Sequence, residues 1–309
     1  VAARRAAGSQ DGTFSGVALT HPDRVLDPES GHTKADLARY YETVAERMLP
    51  HVAGRPLMLV RCPEGRAGPC FFQKHPSQAV APPLRGVRIR ERKGPATYLV
   101  ADDPAGVLAL VQMAALEIHV WGARADRIER PDRIVFDLDP GPGVARAFVM
   151  TAALAVRRRL EPLGLESFVK TTGGKGVHVV VPIDRRSDWA SVRAFASAIG
   201  ESFVREQPTQ FTTELSKARR PGKLLIDTLR NVRGATWVAP YSSRARPGLP
   251  VSMPVDWKDL ESLAPDAVTL ANVSGWLRRA DPWRGMRTVR QTITATMLRS
   301  LAPAGSSRR

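Results

Sequence analysis

In KADLARYYETVAERML, residues 34–49, apolar side chains return every three to four positions, which predicts a helix with one buried face. Thr33, three residues before Asp36, offers a capping box at its start. AGVLALVQMAALEIHVW, 105–121, is apolar almost throughout and reads as a largely buried helix. RIVFDLD, 133–139, reads as a strand, with PD before it and PGPG after it. VARAFVMTAALAVRRRLEPLG then predicts a helix that stops near Gly164, followed by a strand in ESFVKTT, a glycine turn in GGKG and a second strand in VHVVVP. SDWASVRAFASAIGESFVREQ predicts a helix opened by Ser187, GKLLIDTL a further strand, and TVRQTITATMLRSLA a C-terminal helix.

From residue 133 the order is strand, helix, strand, strand, helix, strand. That is β-α-β-β-α-β, the ferredoxin-like unit also used by RNA-recognition-motif folds, in which the first and third strands lie side by side at the centre of the sheet. The class is α+β, with an α/β lobe ahead of this unit. The small polar opening VAARRAAGSQDG suggests a linker over residues 1–15, and APAGSSRR suggests a frayed tail over 301–309, as in a C-terminal piece excised from a longer protein. Between them the expected organisation is one domain over 16–295: an N-terminal lobe to about 130, a catalytic lobe over 131–250, and a C-terminal cover over 251–300.

The chain has 309 residues, 43% of them hydrophobic, enough for a substantial core. No apolar run approaches the roughly 20 residues that cross a bilayer, and the basic N-terminus lacks a signal-peptide core, so the expected place is the cytoplasm, without a membrane partner. Cys62 and Cys70 form no C-x-x-C pair, and plain structural thiols are expected rather than a zinc site or a disulfide. Charge changes the picture more. Lys and Arg outnumber Asp and Glu by 46 to 30, a net +16 that attracts polyanions, with nucleic acid first among them. Residues 214–246 carry eight basic side chains against Glu214 and Asp227. A solvated basic face would explain the run, yet it encloses an acid inside the apolar strand LLID. Lys217, Arg220, Lys223 and Arg230 are the DNA-binding candidates within it.

Asp137 and Asp139, at i and i+2 of a strand, project from one face while Leu138 faces the other. Two anions so close repel, and a divalent cation between them, Mg²⁺ or Mn²⁺ for hard oxygen donors, would make the pair tolerable. Two solvated turn acids remain the plain alternative. Pro140 has no N–H and should end the pairing there. Asp227 closes another apolar strand and can converge on the pair; on its own it would be a salt-bridge residue. Three carboxylates suit two metal ions about 3.5–4 Å apart, the arrangement for phosphoryl transfer. In KTTGGKGVH, Gly173, Gly174 and Gly176 let the backbone approach a ligand while Lys175 presents a point charge. The spacing is not that of a P-loop, and a tight hairpin explains the glycines equally well. His178 is either a satisfied core histidine or a donor to a phosphate oxygen, and Arg244 and Arg246 could clamp phosphates. Phe71 and Phe72 are core residues or a stacking platform, with Gln73, Lys74 and His75 holding phosphate beside it.

Taken together, RPDRIVFDLDPGPG, KTTGGKGVHVVVP, GKLLIDTLRNVRGATWVAPYSSRARPGLPVS and GRPLMLVRCPEG with FFQKH resemble the polymerase domain of bacterial ATP-dependent DNA ligase D, a branch of the archaeo-eukaryotic primase superfamily. The likeness runs from about residue 21 into the 280s. It implies a primase-like catalytic core and a template-dependent nucleotidyltransferase that fills gaps and extends DNA ends in non-homologous end joining, favouring ribonucleotides and active with Mn²⁺. By position it implies that Asp137 and Asp139 bind both metals and Asp227 the catalytic one. Thr172, Lys175, His178 and Arg244 would hold the triphosphate of an NTP or dNTP, Phe71 and Phe72 would meet the incoming and templating bases, and His119 would line the nucleotide pocket. Arg24 and Lys34 stand where the family reads a downstream 5′-phosphate. The implied partners are DNA with a gap or 3′ overhang, the end-binding protein Ku, and ligase and nuclease domains of the same polypeptide, on the nucleoid. Two rivals share features: an aspartyl phosphatase of the haloacid dehalogenase type, disfavoured by Pro140 and the mid-chain motif, and a binding module that only bridges DNA ends, disfavoured by intact aspartates.

Overall fold

The computed structural model describes residues 12–301, so all but the first residue of the expected 301–309 tail and most of the expected linker lie outside it. The chain divides into two compact units. The first takes the described residues up to Val120 with Val238–Ser252 and Val268–Arg279; the second takes Trp121–Trp237, Met253–Ala267 and the described residues from Ala280. The first boundary therefore falls ten residues before the expected one, and the stretch expected as a C-terminal cover is shared by both units. Among the described residues no helix is long and apolar enough to cross a membrane.

In the first unit, helix α1 (Lys34–Val52) starts at the expected capping box: Asp36 N donates to the Thr33 hydroxyl and Thr33 N to the Asp36 carboxylate. Its apolar stripe, Leu37, Tyr41, Val44, Met48 and Val52, is fully buried. Strands β1 (Leu57–Arg61), β2 (Phe71–Gln73), β3 (Arg85–Glu91) and β4 (Gly94–Val100) precede helix α2 (Pro104–Gln112) and strand β5 (Ala115–Trp121). They pair antiparallel in the order β5-β1-β4-β3, with β2 added to β1.

Two expectations fail here. The single helix over 105–121 is a helix and a strand. Asp103 caps α2 by accepting from Gly106 N, and Ala114, at φ +61°, ends it. A run that is apolar on every side carries no period to separate helix from strand, and the β-branched Ile118 and Val120 decide for the sheet. The cysteines are not free thiols either. Cys62 and Cys70 form a disulfide that ties the end of β1 to the start of β2, where the two chain ends are already brought together by Arg61 pairing with Phe71.

In the second unit the elements follow the expected order: β6 (Arg133–Pro140), α3 (Arg146–Leu160), β7 (Phe168–Thr171), β8 (Val177–Pro182), α4 (Trp189–Glu206), and, after a two-residue strand β9 (Phe211–Thr212), β10 (Leu224–Asp227). With β11 (Pro254–Val255) the sheet runs β9-β10-β6-β8-β7-β11, so the first and third strands of the unit are adjacent at its centre. Val177, Val179, Val180 and Val181 are all buried, as a strand covered on both faces requires. Val149, Ala153 and Val156 of α3 and Phe195, Ile199 and Phe203 of α4 fill the core with them, at about 1.5–3 kcal/mol for each large side chain buried. Gly164 ends the turn after α3 at φ +71°. Details shift at the ends. Asp188, not Ser187, caps α4 by accepting from Ser191 N, Pro140 stays in register opposite Leu224, and the last helix covers only Ala295–Leu301.

Candidate active site

The register of the second sheet sets four polar residues in line across four strands. Asp227 of β10 faces Asp137 of β6, Asp137 faces His178 of β8, and His178 faces Lys170 of β7. Cross-strand partners share a face, so one polar row crosses the sheet. Asp137 and Asp227 are both more than nine-tenths buried, while Asp139 is about a third exposed.

Arginines answer the acids. Arg230 Nε donates to Asp137 Oδ2 at 3.0 Å and lies 3.4 Å from Asp227 Oδ2. Its turn is held by Asn231, which accepts from Val135 N and donates to Val135 O, replacing the ladder bonds that end with Asp227. Arg220, 1% exposed, donates to both the carbonyl and the carboxylate of Asp139 at 2.6 Å. Burial alone would raise the Asp137 carboxyl, but His178, whose Nε2 is 3.4 Å from Oδ1, and Arg230 hold it well below the ordinary carboxylate range. Asp227 goes the other way: burial raises it, and the charges of Asp137 and Asp139 add to that against Arg230. Burial and then the charge of Lys170 lower the His178 imidazole to about 4, so the ring is neutral at pH 7. His178 Nδ1 is buried without a hydrogen-bond partner.

The GGKG turn is pressed onto the aspartate strand. A Cβ on Gly176 would come within 2.3 Å of the Leu138 carbonyl oxygen and 3.6 Å of Asp139 Cα, so only glycine fits there. Gly173 takes φ +64°, and the Thr172 hydroxyl donates to the Gly176 carbonyl at 2.8 Å, closing the turn. Gly173 and Gly174 are buried and Lys175 alone is exposed, at the tip of the turn. Among the described residues no set of three or more His, Cys, Asp or Glu side chains stands assembled as a metal cage. The donor chemistry nevertheless fits a hard divalent cation: three carboxylates on adjacent strands, with Asp227 raised by burial and by the charges of Asp137 and Asp139.

The first unit holds the other candidates. Phe71 and Phe72 are 47% and 70% exposed, far too open for core residues. The Phe72 ring meets His119 edge-on at 6.4 Å. His119 and Glu117 share a face of β5, with His119 Nε2 2.8 Å from Glu117 Oε2. The same oxygen lies 3.0 Å from Arg244 Nε, and Glu117 Oε1 accepts from Ala245 N. Burial raises the Glu117 carboxyl, but His119 and Arg244 outweigh it and lower it to about 2. Folding therefore gains from an ionised Glu117 above pH about 4.5, and loses that gain as pH falls towards 2. At about 1.4 kcal/mol per unit, it is worth about 3–4 kcal/mol. Urea melts of Glu117→Gln should differ from the parent chain by this amount at pH 7 and converge with it near pH 2.

Several DNA-binding candidates are not free surface cations. Arg220 is the buried partner of Asp139, and Arg230 is paired with Asp137 and Asp227. Lys74 is paired with Glu91 at 2.8 Å. Lys34 is buried, its ammonium donating to Thr20 O, Gln112 O and Gln112 Oε1, and burial with the nearby charge of Arg24 lowers it to about 8. Arg24 donates to Pro63 O and is half-buried. Lys217 is exposed and Lys223 half-buried, as phosphate contacts need. Sequence reasoning missed Lys170, Asn231 and Glu117. A strand over 115–121 would have put Glu117 beside His119; for Lys170 and Asn231 the sequence carries no signal.

The family described as LigD, primase-polymerase domain, matches residues 33–283. A multifunctional non-homologous end joining protein LigD from Pseudomonas aeruginosa is 38% identical over 304 residues, 97% of this chain and 36% of that protein. The multifunctional non-homologous end joining DNA repair protein LigD of Mycobacterium tuberculosis H37Rv is 37% identical over 256 residues, 80% of this chain and 34% of that one. The chain thus spans about a third of the length of these curated relatives. Among solved structures, the polymerase domain of Mycobacterium tuberculosis ligase D in complex with DNA superposes with a TM-score of 0.81 at 33% identity, covering 87% of this chain and 97% of that one.

Proposed function

The chain belongs to the LigD primase-polymerase domain family, nucleotidyltransferases acting on DNA, and from that membership we propose that it fills gaps and extends ends in bacterial non-homologous end joining. The reaction is attack of a primer 3′-hydroxyl on the α-phosphorus of a nucleoside triphosphate, forming the new P–O bond as the α–β bond breaks and pyrophosphate leaves. The observation that carries this reading is the register that sets Asp137 opposite Asp227, with the GGKG turn pressed against the same strand.

Asp137, Asp139 and Asp227 would hold two divalent ions, Mn²⁺ or Mg²⁺, which when bound supply Lewis acidity to the attacking and leaving oxygens. The chain's own residues do the rest. Lys175, at the exposed tip of its turn, offers a compact positive charge to the triphosphate, and Arg244 a planar one. Gly176 lets the turn close onto the aspartate strand, the Thr172 hydroxyl pins that closure, and Gly174 would leave the turn's backbone open to the phosphates. His178, neutral at pH 7, offers a hydrogen bond through Nδ1 rather than a charge. Phe71 and Phe72, exposed on β2, present ring faces for bases, and His119 steadies the second ring. Lys217 and Lys223 supply phosphate contacts along the DNA. Family membership sets the aspartyl phosphatase reading aside. Ku, and ligase and nuclease domains on the same polypeptide, are the partners such a role calls for.

Primer extension on a gapped duplex tests the proposal, with and without the downstream 5′-phosphate, comparing ribo- with deoxyribonucleotides in Mn²⁺ and in Mg²⁺. Extension that needs a divalent ion, runs fastest with ribonucleotides and improves with the 5′-phosphate is expected. No incorporation under any condition would leave only a DNA-bridging module.

A further inference from the structure

Glu117 lies deeper than His119 and Arg244, the two side chains it serves. Its side chain is 8% exposed, against 13% for His119 and 15% for Arg244, and one oxygen, Oε2, approaches both. The other oxygen accepts the Ala245 backbone N–H, the residue after Arg244, so the carboxylate fixes both the side chain and the main chain of the segment that carries the arginine. His119 in turn meets Phe72 edge-on. One buried acid thereby ties β5, the aromatic on β2 and the Arg244 segment, all within the first unit.

We propose that Glu117 is the positioning residue for nucleotide binding, holding the Arg244 guanidinium and the His119 ring where the triphosphate and base are received. The inference rests on the polymerase reading above. Glu117 touches neither substrate nor reacting atoms; it acts through Arg244 and His119. A carboxylate suits this task and an amide does not, because three donors converge on it. A glutamine has one acceptor oxygen, and its NH₂ would face either the Ala245 N–H or the Arg244 and His119 side chains.

The sign of the expected effect separates positioning from simple charge. Glu117→Gln removes a negative charge close to the Arg244 guanidinium that would grip a polyanion, so through-space electrostatics alone would tighten triphosphate binding. Positioning demands the reverse. In primer extension, Glu117→Gln should raise the nucleotide KM by about tenfold with kcat changed less than about threefold, the pattern for losing contacts that hold substrate equally in the ground and transition states. Arg244→Ala should raise KM by about 100-fold, and the double variant should match Arg244→Ala to within about threefold, because the acid has no arginine left to place. Arg244→Lys, which keeps the charge and leaves Glu117 in place, should behave nearly as badly as Arg244→Ala and serves if Glu117→Gln fails to fold.

An unchanged or lower KM in Glu117→Gln, multiplicative effects in the double variant, or a near-normal Arg244→Lys would each overturn the proposal. Nucleoside triphosphate binding to the parent chain, followed by fluorescence displacement with Mn²⁺ present, keeps the two readings apart. If the parent chain neither binds nor incorporates nucleotides, the polymerase reading itself falls. If it does both and Glu117→Gln matches it, only the positioning role is lost.

Discussion

Asp137→Ala should abolish primer extension, by about 10³-fold or more, equivalent to about 4 kcal/mol of lost transition-state stabilisation. It is the acid at the centre of the polar row, with Asp227 on one side and His178 on the other. Asp139 and Asp227 are not adjacent to each other in register, so without Asp137 the remaining carboxylates no longer flank one place for a cation. The fold should tolerate the change. Asp137 and Asp227 repel, and Asp227 is raised partly for that reason, so removing one charge relieves the other. Arg230 keeps Asp227, 3.4 Å away, as its partner. Stability should move by about 1–2 kcal/mol, the range for losing one ion pair at a partly buried arginine. DNA affinity, followed by fluorescence anisotropy, should stay within about threefold, since an acid contributes nothing to phosphate contacts. Retained single-turnover extension in Asp137→Ala would sink the assignment of this row as the catalytic centre.

Arg220→Ala should damage the fold first and activity through it. The guanidinium is 1% exposed and supplies two donors to Asp139, one to its carbonyl and one to its carboxylate. Its own backbone is wedged against the PGPG segment: a Cβ on Gly141 would fall 2.2 Å from the Arg220 carbonyl oxygen. Truncation strips both Asp139 oxygens of their donor and opens a cavity below the strand end. Removing one partner of a buried pair costs about 3–5 kcal/mol, and the partial exposure of Asp139 places the expected loss near the lower end, about 3 kcal/mol by urea denaturation. A phosphate contact would behave differently. Neutralising one shortens the slope of log K against log salt by about 1, as expected for the exposed Lys217→Ala. Arg220→Ala should leave that slope unchanged; a slope shallower by one, with normal stability, would return Arg220 to the DNA surface.

The contrast between Arg220 and Lys217 shows where reading the chain stops being enough. They lie three residues apart in one basic run, with the same charge and the same kind of neighbours. One is buried under an aspartate and the other is open to solvent. Nothing local distinguishes them, because the acid that draws Arg220 inward belongs to a strand far away in sequence. Lys170 and Asn231 are similar cases, an inward lysine in a short strand and an amide that replaces missing ladder bonds. The disulfide belongs here too, since two cysteines eight residues apart pair only once β1 and β2 lie side by side.

By itself, the order of residues determined what depends on short-range periodicity and local chemistry. The capping box at Thr33, the β-α-β-β-α-β order, the shared face of Asp137 and Asp139, and the glycine turn carrying Lys175 were all legible, because side-chain direction repeats every 3.6 or 2 residues and turn residues act locally. The apolar run 105–121 was not, since a segment buried on every side has no period to read. Tertiary structure alone decided the offset between strands. A shift of one residue would turn Asp227 to the opposite face from Asp137, and only the packed sheet, with both its faces buried, fixes the register that aligns Asp227, Asp137, His178 and Lys170. It also decided which charges are spent on one another: Arg220 on Asp139, Arg230 on Asp137 and Asp227, and Glu117 on His119 and Arg244. Burying a charge is costly until its partner arrives, and the partner arrives only with the fold.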